Sequence, residues 1–167
     1  MNAVVRSQIM AVEQVRAVFR MVTKAPVTEE QTLYQTAPGT SHMRFLAGHM
    51  ALALDAITVP ALGGAPGLPA KYAELFSFGL KPGPTGGYPA WSQLLQDVES
   101  TMDRLAAVLG QKTDAELDAP TPASSPLAKM VPRLVGLVPF ACFHTSYHMG
   151  QMALLRRAQG LPSAVAR

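Results

Sequence analysis

Cysteine is almost missing from this chain: Cys142 is the only one in 167 residues. A lone thiol excludes an internal disulfide framework and fits a reducing compartment. Charge is scarce as well. Asp, Glu, Lys and Arg make up 15% of the residues against 49% hydrophobic, which excludes a disordered composition and hints that a partner or a second copy covers apolar surface. Net charge is +3, but the basic residues are scattered, with Arg156-Arg157 the longest run, and no patch interleaves them with aromatics. Nucleic acid is therefore not an expected partner. Long hydrophobic runs are lacking too. The longest, Leu134 to Phe143, is about half of what a membrane span needs. Met1 to Arg20 carries Arg6, Glu13, Arg16 and Arg20 where a signal peptide has its apolar block. A soluble cytoplasmic protein that does not engage a membrane is expected.

Strand signals and internal repeats are also lacking, and helical periodicity takes their place. A chain of this length is expected to form one domain, 1–167, with a real hydrophobic core. Val15, Val18, Phe19 and Val22 stripe a first helix from about Asn2 to Thr23, stopped by Pro26. Thr40 or Ser41 is placed to cap a second, running to about Thr58 with Phe45, Leu46, His49, Met50, Ala53 and Ile57 on its apolar face. Pro60 to Pro89 is rich in Gly and Pro, with room for one short helix between Ala70 and Phe78. Connections this long tend to be functional or mobile, and this one is expected to roof a cleft or to act as a packed spacer. A third helix runs from near Pro89 to about Leu109, with Leu94, Leu95, Val98, Met102, Leu105 and Leu109 inward and Gly110 as its stop. Thr113 to Glu116 has the capping-box pattern. The last helix begins between Leu127 and Pro139 and ends on Arg156-Arg157, with Gly160 and Pro162 beyond. Four amphipathic helices predict an all-α four-helix bundle.

The chemistry concentrates on that last helix. His144 and His148 are four residues apart, so both imidazoles point the same way, one turn from each other. Gln151, three further on, shares their face. A face carrying His, His and Gln between apolar flanks needs partners for its polar groups; a metal is one and a water-filled cleft another. Spacing alone also permits hydrogen-bonded core histidines. Cys142 lies about 200° round the helix from His144, facing away into the core. Two more histidines, His42 and His49, belong to the second helix. They are two turns apart, about 10 Å along the axis, too far to share one ion with bonds of 2.0–2.1 Å. His49 sits within the apolar stripe and is the inward candidate; His42, in the first turn, is expected at the cleft mouth or on the surface. Bundles build metal sites from facing helices. His49, His144 and His148 then supply three neutral nitrogens and leave a fourth position open, the catalytic arrangement.

Three blocks resemble the DinB-like family, metalloenzymes that include the YfiT-type proteins. They are Phe45-Leu-Ala-Gly-His49-Met-Ala-Leu-Ala-Leu-Asp55, Thr113-Asp-Ala-Glu-Leu-Asp118, and His144-Thr-Ser-Tyr-His148-Met-Gly-Gln151-Met-Ala-Leu-Leu-Arg-Arg157-Ala-Gln-Gly160. The resemblance implies a four-helix bundle of up-down-down-up connectivity, often a homodimer. It implies a divalent transition metal (zinc, nickel or iron) at His49, His144 and His148. Relatives include bacillithiol S-transferases and mycothiol-dependent maleylpyruvate isomerases, so the implied partners are a small thiol and an electrophile. Pro139 and the Gly/Pro-rich insert depart from the pattern and bear on the shape of the pocket.

Residue chemistry narrows the reaction. Zincin-type hydrolysis wants a Glu directly after the first histidine, but Thr145 follows His144, and Asp and Glu are absent from Leu134 to Arg167. Lewis-acid activation of a thiol requires no separate base. The expected activity is a metal-dependent thiol S-transferase with no assigned catalytic residue, in which Gln151, Tyr147 and His42 support the ligands or face the substrate. A metal-dependent hydrolase would need Tyr147, His42 or a residue of Pro60 to Pro89 as its base. A non-catalytic, stress-associated metal-binding dimer is the third alternative.

Overall fold

The computed structural model describes residues 2–83, 85 and 87–163. Pro84 and Gly86 of the Gly/Pro-rich stretch lie outside them. Among the described residues the fold is all-helical, without a strand; the one ladder contact is an isolated bridge between Pro120 and Arg133. No helix among them is long and apolar enough to cross a membrane. The long helices are α1 (Ala3–Thr23), α2 (Met43–Ala53), α5 (Trp91–Gly110) and α7 (Leu137–Ala158). A π-helical turn, Leu54–Thr58, carries α2 into the short α3 (Val59–Ala61); α4 (Lys71–Phe76) and α6 (Asp114–Leu117) lie in the connections. Around one core cluster, α1 packs on α5 and α7, and α2 packs on the same two.

Sequence chemistry explains most boundaries. Thr113 and Glu116 form the capping box of α6. At the end of α7, Gly160 adopts φ 71°, and the amides of Gly160 and Leu161 return to the carbonyls of Arg157 and Arg156, a Schellman closure. Pro139 lies in the first turn of α7, where its missing N–H costs no helical bond. Pro60 cannot donate to Ala56 and its ring crowds that carbonyl, which accounts for the loosened π turn just before it.

Two expectations change, and α7 shows which of its faces is the core face. The cap of α2 is neither Thr40 nor Ser41 but His42, whose Nδ1 accepts from the Phe45 amide at 3.1 Å. Val18 of α1 is exposed, and the inward line runs through Val5, Val12, Phe19 and Val22 instead. On α7, Phe143 and Tyr147 are 66% and 56% exposed, while Ala141, Thr145, Met149, Met152 and Leu155 make the core stripe. His144 and His148, half-buried, lie on the border of that stripe rather than at its centre. α2 is covered most completely: every residue from Met43 to Ala51 is buried.

The Gly/Pro-rich stretch is fastened at two points along it. Asp55, buried in the π turn, pairs with Arg104 of α5 at 2.7 Å and accepts from the backbone amides of Gly67 and Leu68 at 2.9 Å each. Further along, α4 presses on α2 at Gly48. A Cβ on Gly48 would lie 2.3 Å from the Phe76 ring, so only glycine admits this approach.

Candidate metal centre

His49 of α2 meets His144 and His148 of α7 where the two helices pack. One nitrogen from each ring lies within 4.8 Å of those of the other two. Ring centroids are 5.1 Å apart for His49 and His144, 5.0 Å for His49 and His148, and 4.5 Å for His144 and His148.

Hydrogen bonds orient two of the three rings. The Phe76 carbonyl, 2.8 Å away, accepts from Nδ1 of His49 and so leaves its Nε2 with a lone pair. Phe76 is the last residue of α4, and its carbonyl is one of those that a helix C-terminus leaves without an internal donor. Gln151 Oε1 accepts from Nδ1 of His148 at 2.7 Å, and Gln151 Nε2 donates to the Tyr147 hydroxyl at 3.2 Å. The outer nitrogen of each of these two rings thus has a partner of the kind that fixes tautomer and direction in metal-ligating histidines. His148 Nε2 then accepts from His144 Nε2 at 3.1 Å. Phe140 stacks on His144 with centroids 6.3 Å apart.

The environment favours the neutral form of His144 and His148. Burial, with His148 and His49 nearby, pushes His144 down to about 4. Burial also lowers His148, against the opposing hydrogen bond to Gln151. Neutral imidazole is the form that donates to a metal. Three such rings fit a divalent transition ion: bonds of 2.0–2.1 Å at a tetrahedral angle place nitrogens about 3.3 Å apart, close to the separation seen between His144 and His148. Bringing a pair in from as much as 4.8 Å closes it by about 1.5 Å, shared between two side chains.

The rings do not close on one another in a sealed interior. Beside them opens a cavity of about 450 Å³ lined by His49, His144, Ile57, Leu127 and Phe140 among others, with Phe78 and Met130 at its edge. Phe78 comes from the Gly/Pro-rich stretch, so that segment does contribute to the roof. Leu127 and Met130 belong to a second irregular connection, before α7 begins at Leu137, the late side of the range expected for its start.

His42 is not at the mouth or on the surface. It is fully buried, and besides its bond from Phe45 its Nε2 donates to the Gly83 carbonyl at 3.2 Å. The Phe45 ring, stacked on His49 at 5.9 Å, stands between the two. Burial lowers His42 as well, which suits its role as an uncharged cap. Cys142 packs half-buried against the core, and burial raises its thiol. Sequence reading missed Gly48 and Phe76. A glycine directly before an inward histidine was their only trace.

None of the curated proteins matches this chain. The family model of the DinB superfamily does match, over residues 11–152, a span that includes all three histidines and Gln151. Match, all-helical fold and histidine cluster agree, and the chain belongs to the DinB superfamily.

Proposed function

We propose that this protein is a metal-dependent transferase that joins a low-molecular-weight thiol to an electrophile. The observation that carries the reading is a cluster of three imidazoles opening on a cavity that no Asp or Glu lines among the described residues. The cavity wall offers no carboxylate to assist a hydrolase as general base, whereas transfer of a metal-bound thiolate uses none. A bound zinc, nickel or iron ion supplies Lewis acidity that lowers the pKa of a thiol or water, without help from a side-chain base.

The chain's own residues hold and orient. His49, His144 and His148 hold the ion; the Phe76 carbonyl and Gln151 keep two of the rings aimed. Phe140, Ile57 and Leu127 exclude water from one side of the cluster. In the transfer, sulfur bonds to the electrophilic carbon, the leaving group departs with the electron pair of the bond that breaks, and the thiol proton passes to solvent. The same reading takes the four long helices as an up-down-down-up bundle and the protein as cytoplasmic. Exposed apolar side chains on α1 and α7 (Met10, Met21, Phe143 and Leu154) support a homodimer.

Zinc-loaded protein incubated with a set of small thiols and monochlorobimane tests the reaction. Conjugation that disappears in His148→Ala together with bound zinc supports the transferase. Cleavage of an ester without any thiol would point instead to a hydrolase. Silence in both assays, with zinc bound, would leave a non-catalytic metal protein.

A further inference from the structure

The cavity beside the imidazoles is uncharged. Ile57, Leu127, Phe140 and Ala141 are typical of its wall, and His49, His144 and Thr58 are its only polar lining residues among those described. The Thr58 hydroxyl donates to the Ala53 carbonyl at 3.4 Å, which leaves little for a ligand. A charged molecule entering here gives up its water and meets no counter-charge in the walls, whereas an apolar one gains by leaving water. At about 450 Å³ the space lies in the lower half of the range for small-molecule sites.

Two further side chains bear on the occupant. Phe78 is 94% exposed and Met130 is 68% exposed, yet both touch the cavity. They come from separate irregular segments, one on each side of the chain's long α5 in sequence. Large apolar side chains held in water beside an apolar hollow are what a hydrophobic ligand would cover. His148, Tyr147 and Gln151 do not line the hollow, so the histidine cluster has an apolar flank and a polar one.

We propose that the hollow binds an uncharged, largely apolar small molecule, with Phe78 and Met130 closing over it, and that this molecule is the electrophile of the transfer. The polar thiol then approaches from the side of His148, Tyr147 and Gln151. Only the word electrophile rests on the transferase reading; the chemistry of the occupant follows from the walls.

Two fluorophores with one ring skeleton make the test: uncharged N-phenyl-1-naphthylamine and the sulfonated 1-anilinonaphthalene-8-sulfonate. Each is titrated into metal-free and zinc-loaded protein. In the metal-free protein the uncharged probe should bind saturably, one per chain, and about tenfold or more tighter than the sulfonate; zinc should narrow that gap by attracting the sulfonate. Phe78→Ala and Met130→Ala, both at exposed positions, should each weaken it about threefold or more, and Ile57→Glu about tenfold or more. Circular dichroism checks each fold, and if Ile57→Glu does not fold the two exposed variants carry the test alone. Equal affinity for both probes in the metal-free protein, or affinity unchanged in Phe78→Ala and Met130→Ala, overturns the proposal. Selective binding by a protein that conjugates no thiol keeps the apolar site and removes the transferase. Conjugation without probe selectivity does the reverse.

Discussion

Gly48→Ala is the change that most directly probes how the fold builds the site. The added Cβ would lie 2.3 to 2.4 Å from three atoms of the Phe76 ring. Ordinary carbon contacts are about 3.5–4.0 Å, so the ring has to retreat by more than about 1 Å. It has little room: Phe76 is fully buried, with the rings of Phe45, Tyr72 and Tyr88 centred 6.2, 5.1 and 5.8 Å away. Overpacking of this kind costs about 1–3 kcal/mol. Replacing a mid-helix glycine by alanine returns at most about 1 kcal/mol of propensity. The Phe76 carbonyl moves with its ring, and losing its bond from His49 adds about 1 kcal/mol. The clash wins, and the variant should be about 1–3 kcal/mol less stable than the parent in urea titrations of the metal-free protein.

The same movement frees the His49 ring to turn. Loss of an outer partner typically weakens metal binding about 10- to 100-fold, which competition against a chromophoric zinc chelator measures. A double-mutant cycle isolates the cause. Phe76→Leu in the Gly48→Ala background should recover part of the lost stability, with a coupling energy of about 1 kcal/mol or more. If Gly48→Ala instead stabilises the protein by its helix propensity and leaves zinc affinity untouched, the contact does not set the position of His49 and the reasoning fails.

Other outcomes follow from the same coordinates. His42→Ala should keep the full metal content, while His49→Ala, His144→Ala and His148→Ala each lose it by elemental analysis; losing the cap should cost His42→Ala about 0.5–2 kcal/mol of stability. Metal-free protein should lose thermal stability as pH falls from about 6.5 towards 4.5, because the unfolded chain takes up protons that His42, His144 and His148, all held below the usual imidazole range, refuse when folded. A melting temperature that is flat or rising on acidification through that window contradicts this sign. Asp55→Ala leaves Arg104 and two backbone amides without their shared partner and should cost about 3–5 kcal/mol in the same urea titrations.

Much of the fold and the centre of the site could be read from residue order. Periodicity reports which helix faces turn inward, and caps such as Thr113 with Glu116, or Gly160, report where helices stop. The pair His144 and His148 with Gln151 is a local pattern on one helix, so its geometry follows from 3.6 residues per turn. What stayed hidden is non-local. Asp114 accepts from the amides of Val4 and Val5 and so finishes the start of α1, more than a hundred residues away in sequence. His42 looked like a first-turn surface residue because nothing nearby in sequence shows Gly83 arriving over it. Phe143 and Tyr147 stand at helical spacing and yet face outward, because steps of three and four fit two adjacent faces of a helix equally well. Only tertiary packing chooses between them.

The irregular segments are where this chain's own chemistry resides. A helix can present an imidazole, but its backbone carbonyls are already committed within the ladder, so it cannot readily supply the acceptor that fixes the ring on a neighbouring helix. A chain leaving a short helix can. Phe76 ends α4, its carbonyl is free, and it reaches His49 only because residue 48 has no side chain. Asp55 holds the earlier part of the same segment by Gly67 and Leu68, close to the point where the π turn brings Ile57 and Thr58 to the cavity wall. One stretch of Gly and Pro therefore both orients a metal-ligating ring and shapes the hollow beside it. Shortening that stretch should alter ligand selectivity and metal affinity together, whereas a segment that merely spans two helix ends would change neither.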